Sequence, residues 1–364
     1  EAFGNWQAEG VLLRDEEEGI YLYAQDFEVV TLAGPVSRRR LGIVALVRTE
    51  PFGQGSILPH EHTMPGPKAD RLELMRHIGA TCGQIFSLYS DPEGRVRDLL
   101  KGSLEGAPLF VFEDRERVTH RLWRVTDREV IDGVAAFLAD RPFFVADGHH
   151  RYEAALRHRA GGALAEYGES PRADGFVMMA LVEFDDPGLL LLPYHRGVGN
   201  LSETQLHQLC DQLDRLFETE PFDLTAGGVE GLVQEVASRG RGRHVLGVVE
   251  PQPGDATLRT LREEVDWRQW GSLAVSEGWV LEEQVLKPVI GENAALQVDY
   301  SHDPQGLVDR VGAGKLQLAF LLKPFPMDTF EEIVGDGQRL PSKSTFFYPK
   351  LPTGLVIHRL DGPL

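Results

Sequence analysis

The chain has 364 residues, 42% of them hydrophobic, which is enough apolar matter for two domains or for one large domain with an insertion. Its formal net charge of −19 and a pI near 5.1 repel a phosphate backbone, so no nucleic-acid partner is expected. The Arg38-Arg39-Arg40 run is too short for a basic footprint and reads as a solvated turn.

No apolar run approaches the length of a membrane span, and no signal-peptide pattern opens the sequence. Two cysteines, Cys82 and Cys210, are too few for a disulfide framework or a metal knuckle and fit buried thiols. A soluble cytoplasmic protein acting on small molecules is expected, with its oligomeric state left open. The sequence begins at Glu1 without methionine, mid-pattern, and a further upstream segment is expected.

In chain order, residues 19–27 and 39–49 read as strands joined by a Gly-Pro turn, an antiparallel pair. A polar loop follows from Pro59 to Lys68, then helical spacing from Asp70 to Ala80 and a strand from Gln84 to Tyr89. Residues 108–113 read as a strand and 120–125 as an exposed β-ribbon. Asp127 caps an amphipathic helix to Ala139. Phe143 to Ala146 has strand character, Asp147-Gly148 makes a turn, and a helix is expected from Tyr152 to Arg159. Gly175 to Phe184 is an apolar run typical of a buried strand. Beyond Gly199 the spacing predicts a helix capped by Ser202 with Leu206, Leu209, Leu213 and Leu216 on one face. A second helix over 228–239 and strands near 244–250, 257–263 and 316–322 follow. Three parts are expected: 1–198, a 199–280 helix-plus-hairpin insertion or second domain, and a 281–364 segment returning to the core. The fold class is α/β, of the α+β kind with a mixed sheet.

Polar side chains concentrate in three loops: His60-Glu61-His62-Thr63 with Lys68 and Arg71, Asp147-Gly148-His149-His150-Arg151, and Lys343-Ser344-Thr345 with Lys350. A strand ending in glycine at a helix mouth turns backbone N–H groups toward an anion, and Arg151 offers a planar fork for phosphate. Gly148, Arg151, Lys343, Ser344, Thr345 and Lys350 are therefore candidates for phosphate or nucleotide. Glu61, Asp147, His149 and His150 are candidates for catalysis, and His60, His62, Lys68 and Arg71 for substrate. Glu61 or Asp147 is the candidate ligand for Mg²⁺ or the base for an attacking hydroxyl. There is no P-loop. His60, His62, His149, His150 and Asp147 leave a metal-dependent hydrolase as an alternative. Lysines beside Phe346, Phe347 and Tyr348 can also simply cover those rings.

The pieces His60-Glu61-x-Thr63, Lys68-x-Asp70-Arg71-Leu72, Asp147-Gly148-His149-His150-Arg151-Tyr152-Glu153 and Lys343-Ser344-Thr345-x-Phe347-Tyr348-Pro349-Lys350 resemble a bacterial and archaeal family known as domain of unknown function 1015. Members of that family carry a further N-terminal stretch with a Pro-Pro-Tyr-Asp-like motif, which this sequence does not include. Gly148-His149-His150-Arg151-Tyr152-Glu153-Ala154-Ala155 is also similar to turns of the ParB/sulfiredoxin-like superfamily, which includes ADP-dependent free serine kinases. That resemblance implies a ParB/sulfiredoxin-like core and nucleotide phosphates at the helix N-terminus. It further implies ADP or ATP, with Mg²⁺, as cofactors of a phosphotransferase acting on a small hydroxyl metabolite. His149 stands where sulfiredoxin has its cysteine, which argues against sulfinic-acid repair. The acidic charge and the lack of a helix-turn-helix argue against a ParB-like DNA role. A nucleotide-sensing protein without turnover is the alternative from another class.

Overall fold

The computed structural model describes residues 1–31, 34–61, 63, 65–161, 172–251, 255–291, 297–341 and 343–361. His62, expected at the substrate, lies outside the described residues, as do Met64, Ser342 and the Glu292-Asn293 pair. The chain divides into two compact units. The first comprises residues 1–190, 337–339 and 349–364, and the second 191–336 and 340–348.

The first unit is built on an eight-stranded mixed sheet. Its strands are Ile20–Thr31 (β1), Gly34–Arg48 (β2), Ile57–Pro59 (β3), Ile85–Tyr89 (β5), Phe110–Glu113 (β6), Thr119–Val125 (β7), Phe143–Asp147 (β8) and Phe176–Glu183 (β9), in the order β3-β8-β5-β9-β2-β1-β7-β6. A short strand, Ala80–Thr81 (β4), pairs apart from it with His358–Arg359. Two pairings are parallel, β3 with β8 and β5 with β9; the others are antiparallel. β5, β8 and β9 are buried on both faces over most of their lengths, as their unbroken apolar runs require.

The helices of this unit are Ala2–Ala8 (α1), Pro65–Ile78 (α2), Arg95–Leu100 (α3), Arg128–Leu138 (α4) and His149–Gly161 (α5). Asp127 caps α4 by accepting from the N–H groups of Glu129 and Val130. One core under the sheet joins Leu22, Ile43, Ile57, Val145, Tyr152, Val177 and Leu181.

Three expectations change here. Arg38-Arg39-Arg40 is not a turn but part of β2, which starts at Gly34, ahead of the expected 39, and each arginine has a partner. Arg38 donates to the Pro187 carbonyl, Arg39 pairs with Asp26, and Arg40 is buried over the Phe86 ring. The 119–125 ribbon is an inner strand, four of its seven residues buried, because β6 and β1 flank it. α2 starts at Pro65, inside the stretch read as loop, consistent with proline at a first helical turn.

The second unit carries a six-stranded antiparallel sheet. Its order is Phe217–Asp223, Asp255–Leu261, Val245–Val249, Leu318–Leu321, His195–Val198 and Val298–Ser301. Ser202 and Gln205 form a reciprocal capping box at the start of the Glu203–Leu216 helix. No described helix is long and apolar enough to cross a membrane.

Candidate functional site

β3 and β8 run parallel, so their C-terminal ends lie side by side, and the chain leaves them at His60 and at Gly148. Ligands of α/β sheets gather at such carboxyl ends. Gly148 has φ +101°, a conformation costly to any residue with a Cβ, and it turns the chain directly into α5. α5 therefore begins at His149, three residues before the expected start at Tyr152. His149, His150 and Arg151 occupy its first turn, and the N–H groups there have no acceptor within the helix.

Arg151 is the centre of this corner. Its Nη1 donates to the Gln84 carbonyl at 2.6 Å, and its Nη2 lies 3.4 Å from Asp147 Oδ2. A Cβ on Gly83 would fall 3.0 Å from Nη1, and one on Gly148 would fall 3.0 Å from Nη2. The guanidinium thus fills a slot between two positions that carry no side chain. Burial lowers its pKa, Asp147 counteracts this, and the nearby Arg71 lowers it further. Lys350 adds a third positive charge, its Nζ 3.7 Å from Asp147 Oδ2. Its backbone is fixed from below: Gln25 donates to the Lys350 carbonyl, and buried Arg40 donates to the carbonyl of Pro349 and to Gln25 Oε1. Burial brings Arg40 down to about 10.

The two histidines behind the corner are joined. His149 Nε2 accepts the His60 N–H at 3.2 Å, which leaves the ring proton on Nδ1, and the rings meet edge to face at 4.6 Å. Burial, then the positive surroundings of His60, His150, Arg339 and Arg151, hold His149 well below the usual histidine range. It is a neutral structural acceptor and not a proton donor. His60 Nδ1 donates to the Val145 carbonyl at 2.6 Å, so its Nε2 faces Glu61 Oε1 at 3.5 Å. With these ring nitrogens engaged, no group of three or more His, Cys, Asp or Glu side chains among the described residues could hold a metal. Glu61 and Asp147 are each a hard oxygen donor of the kind Mg²⁺ takes beside phosphate oxygens and water.

Lys68 is tied into the wall: its Nζ donates to Glu153 Oε2 at 2.7 Å, and Thr63 Oγ1 donates to Glu153 Oε1 at 2.7 Å. Glu153 and Tyr152, whose hydroxyl donates to the Glu50 carbonyl, are the staples of the motif. Arg71, more than half exposed on α2, shares a pocket with Arg151. Lys343, Ser344 and Thr345 belong to the second unit. There Ser344 lines a small polar cleft with Tyr194, Arg196, Glu277 and Lys323, and Lys343 lies 5.2 Å from the centre of the Tyr194 ring. In that unit buried Arg196 pairs with Glu282 at 3.0 Å, and Lys323 pairs with Glu277 at 2.8 Å. None of Gly83, Gln84, Arg40 or Arg196 is signalled by spacing; each is found only by its long-range partner.

Residues 1–276 match the profile of a family described as protein of unknown function (DUF1015). No curated protein matches the chain. Among solved structures, a conserved hypothetical protein from Pyrococcus furiosus is similar over 85% of this chain and 93% of its own, at 10% identity and a TM-score of 0.41. A free serine kinase in complex with AMP covers 85% of this chain and 88% of its own, at 10% identity and a TM-score of 0.42. SbnI with a C-terminal truncation, from Staphylococcus aureus, covers 86% and 85% at 13% identity and a TM-score of 0.44.

Proposed function

We propose that this chain, which belongs to the DUF1015 family, binds a nucleoside phosphate at the Gly148 corner and transfers a phosphoryl group to a small hydroxyl metabolite. The observation that carries the reading is Arg151, locked in a two-glycine slot at a helix N-terminus with Arg71 and Lys350 as further positive charge. A chain of net charge −19 concentrates cations there against its overall balance. Such a corner suits phosphate oxygens: N–H groups and the helix dipole meet one face, and a planar fork meets another.

The transfer follows from the remaining groups. Glu61 takes the proton of the metabolite hydroxyl, whose oxygen bonds to the terminal phosphorus as the bridging P–O bond breaks. Charge then grows on the bridging oxygen and the departing nucleotide keeps the electron pair; Lys350 and Arg151 neutralise it. Asp147 holds those two cations in place, which leaves Glu61 as the better base. Glu61 or Asp147 would hold a Mg²⁺ that arrives with the nucleotide, and the ion would supply charge neutralisation. A sensor without turnover shares every phosphate contact and differs only in lacking the transfer.

Calorimetric titration with ADP and ATP, with and without Mg²⁺, tests the binding. Incubation of the same mixtures with serine and other hydroxyl metabolites, followed by phosphorus NMR, tests the transfer. Binding with a new phosphate ester supports the full reading. Binding without an ester makes the protein a nucleotide sensor, and no binding at millimolar nucleotide removes the phosphate reading.

A further inference from the structure

A second concavity in the first unit shares Arg151 with the anion corner. It encloses about 570 Å³, its open mouth included. Its floor is apolar: Met75, Ile85, Val177 and Met178 are each no more than 6% exposed. Arg71, with its side chain 52% exposed, and Arg151, at 30%, mark the open side. Thr81 lines the wall, and its Oγ1 is buried there without a hydrogen-bond partner among the described residues. Cys82 follows it along the same wall.

We propose that this pocket takes the base of the nucleoside phosphate, an inference that rests on the phosphate reading of the Gly148 corner. One guanidinium reaches both places, so a ligand held by its phosphate at Arg151 projects its other end into the pocket. A flat heteroaromatic ring satisfies what lines it. Its faces bury against the methionine and aliphatic walls, and the Arg71 guanidinium can lie over the ring at the mouth. Its edge carries ring nitrogens and exocyclic groups that pair with the Thr81 hydroxyl once rotation about its Cα–Cβ bond turns it toward the ring. An alkyl chain would fill the same volume and leave that hydroxyl buried and unsatisfied, a costly arrangement. A bare phosphate or a sugar phosphate would leave the apolar floor uncovered.

The test compares pyrophosphate with ADP on the intact chain, by calorimetry and by the rate at which a bulky maleimide labels Cys82. Thr81→Val, which suits a strand, serves as the variant that leaves the phosphate contacts alone. ADP should bind roughly 10- to 100-fold more tightly than pyrophosphate, and only ADP should slow labelling. Thr81→Val should lower ADP affinity roughly 5- to 10-fold and leave pyrophosphate unchanged. Equal binding of the two ligands with labelling unaffected by either overturns the base pocket and leaves the phosphate reading standing. If neither ligand binds, the phosphate reading itself has failed, and the pocket assignment falls with it.

Discussion

Replacing Gly148 by alanine strikes the corner in two ways that can be measured apart. At φ +101° a side-chain-bearing residue is strained by about 1–3 kcal/mol, which appears as lost stability of the first unit. The new Cβ would also lie 3.0 Å from Arg151 Nη2, 3.1 Å from Nε and 3.2 Å from Cζ. The guanidinium has to move, and its 2.6 Å bond to the Gln84 carbonyl lengthens or breaks. Loss of one charge-assisted hydrogen bond to phosphate is worth about 1.5–3 kcal/mol, or roughly 10- to 150-fold in nucleotide affinity. Gly83→Ala is the comparator. It crowds Nη1 from the opposite side at 3.0 Å, at a position without a positive φ, so it should weaken binding by a similar factor with less loss of stability. Urea unfolding gives the first quantity and ADP calorimetry the second. If both alanine variants fold and bind ADP as tightly as the unaltered chain, the slot does not position Arg151 for a ligand, and the reasoning fails.

Glu153→Gln keeps an acceptor for Thr63 but loses the charge opposite Lys68, at side-chain exposures of 19% and 12%. A stability loss of about 1–2 kcal/mol by urea unfolding is expected, and none would show that the clamp is idle. Burial raises the Glu153 pKa, but the bonds from Lys68 and Thr63 outweigh it and leave a net lowering. Its contribution is therefore present above the ordinary value of 4.5 and disappears as pH falls through the lowered folded value, a slope that Glu153→Gln should remove. His149 acts in a higher window. Its folded pKa is depressed, so stability is complete above 6.5 and falls as pH drops from there, where only the unfolded chain takes the proton. His149→Gln should flatten that segment of the stability-pH curve; an unchanged slope would mean the ring is not held neutral. In the second unit, Glu282→Ala leaves the 1%-exposed Arg196 without its carboxylate and should cost about 3–5 kcal/mol, checked by the same unfolding measurement.

What could be read from the sequence was local. The Asp127 and Ser202 caps, the 175–184 apolar run, which is strand over Phe176–Glu183, and the β1–β2 pair are all specified by neighbours within a few residues, and all are present. The start of α5 was misplaced because it depends on one backbone angle at Gly148, which His-His-Arg does not advertise. The helices Pro304–Gly312 and Met327–Gly335 were not anticipated. For the site, the identity of Arg151, Gly148 and Asp147 was legible as a cluster. The long-range bonds in and around that cluster are not legible: Gln84 is 67 residues from Arg151, Lys68 is 85 from Glu153, and Pro349 is 309 from Arg40. No periodicity links such pairs, so only the sheet order brings them together.

The position of β3 has a consequence for timing. It is an edge strand of three residues, paired among the described residues on one side only, and the chain beyond it carries His60 and Glu61. The strands beside the corner on its other flank lie inside the sheet with neighbours on both sides. Such an edge can detach by local opening while the rest of the sheet stays closed, with the bonds to Glu50, His149 and Glu153 among the latches that hold this stretch of chain. On the proposed function, the corner thus combines an anion receptor held inside the sheet with an edge wall that carries Glu61, the proposed base. The amide hydrogens of Ile57, Leu58, His60 and Glu61 should therefore exchange faster than those of β8 by an amount that the latches set.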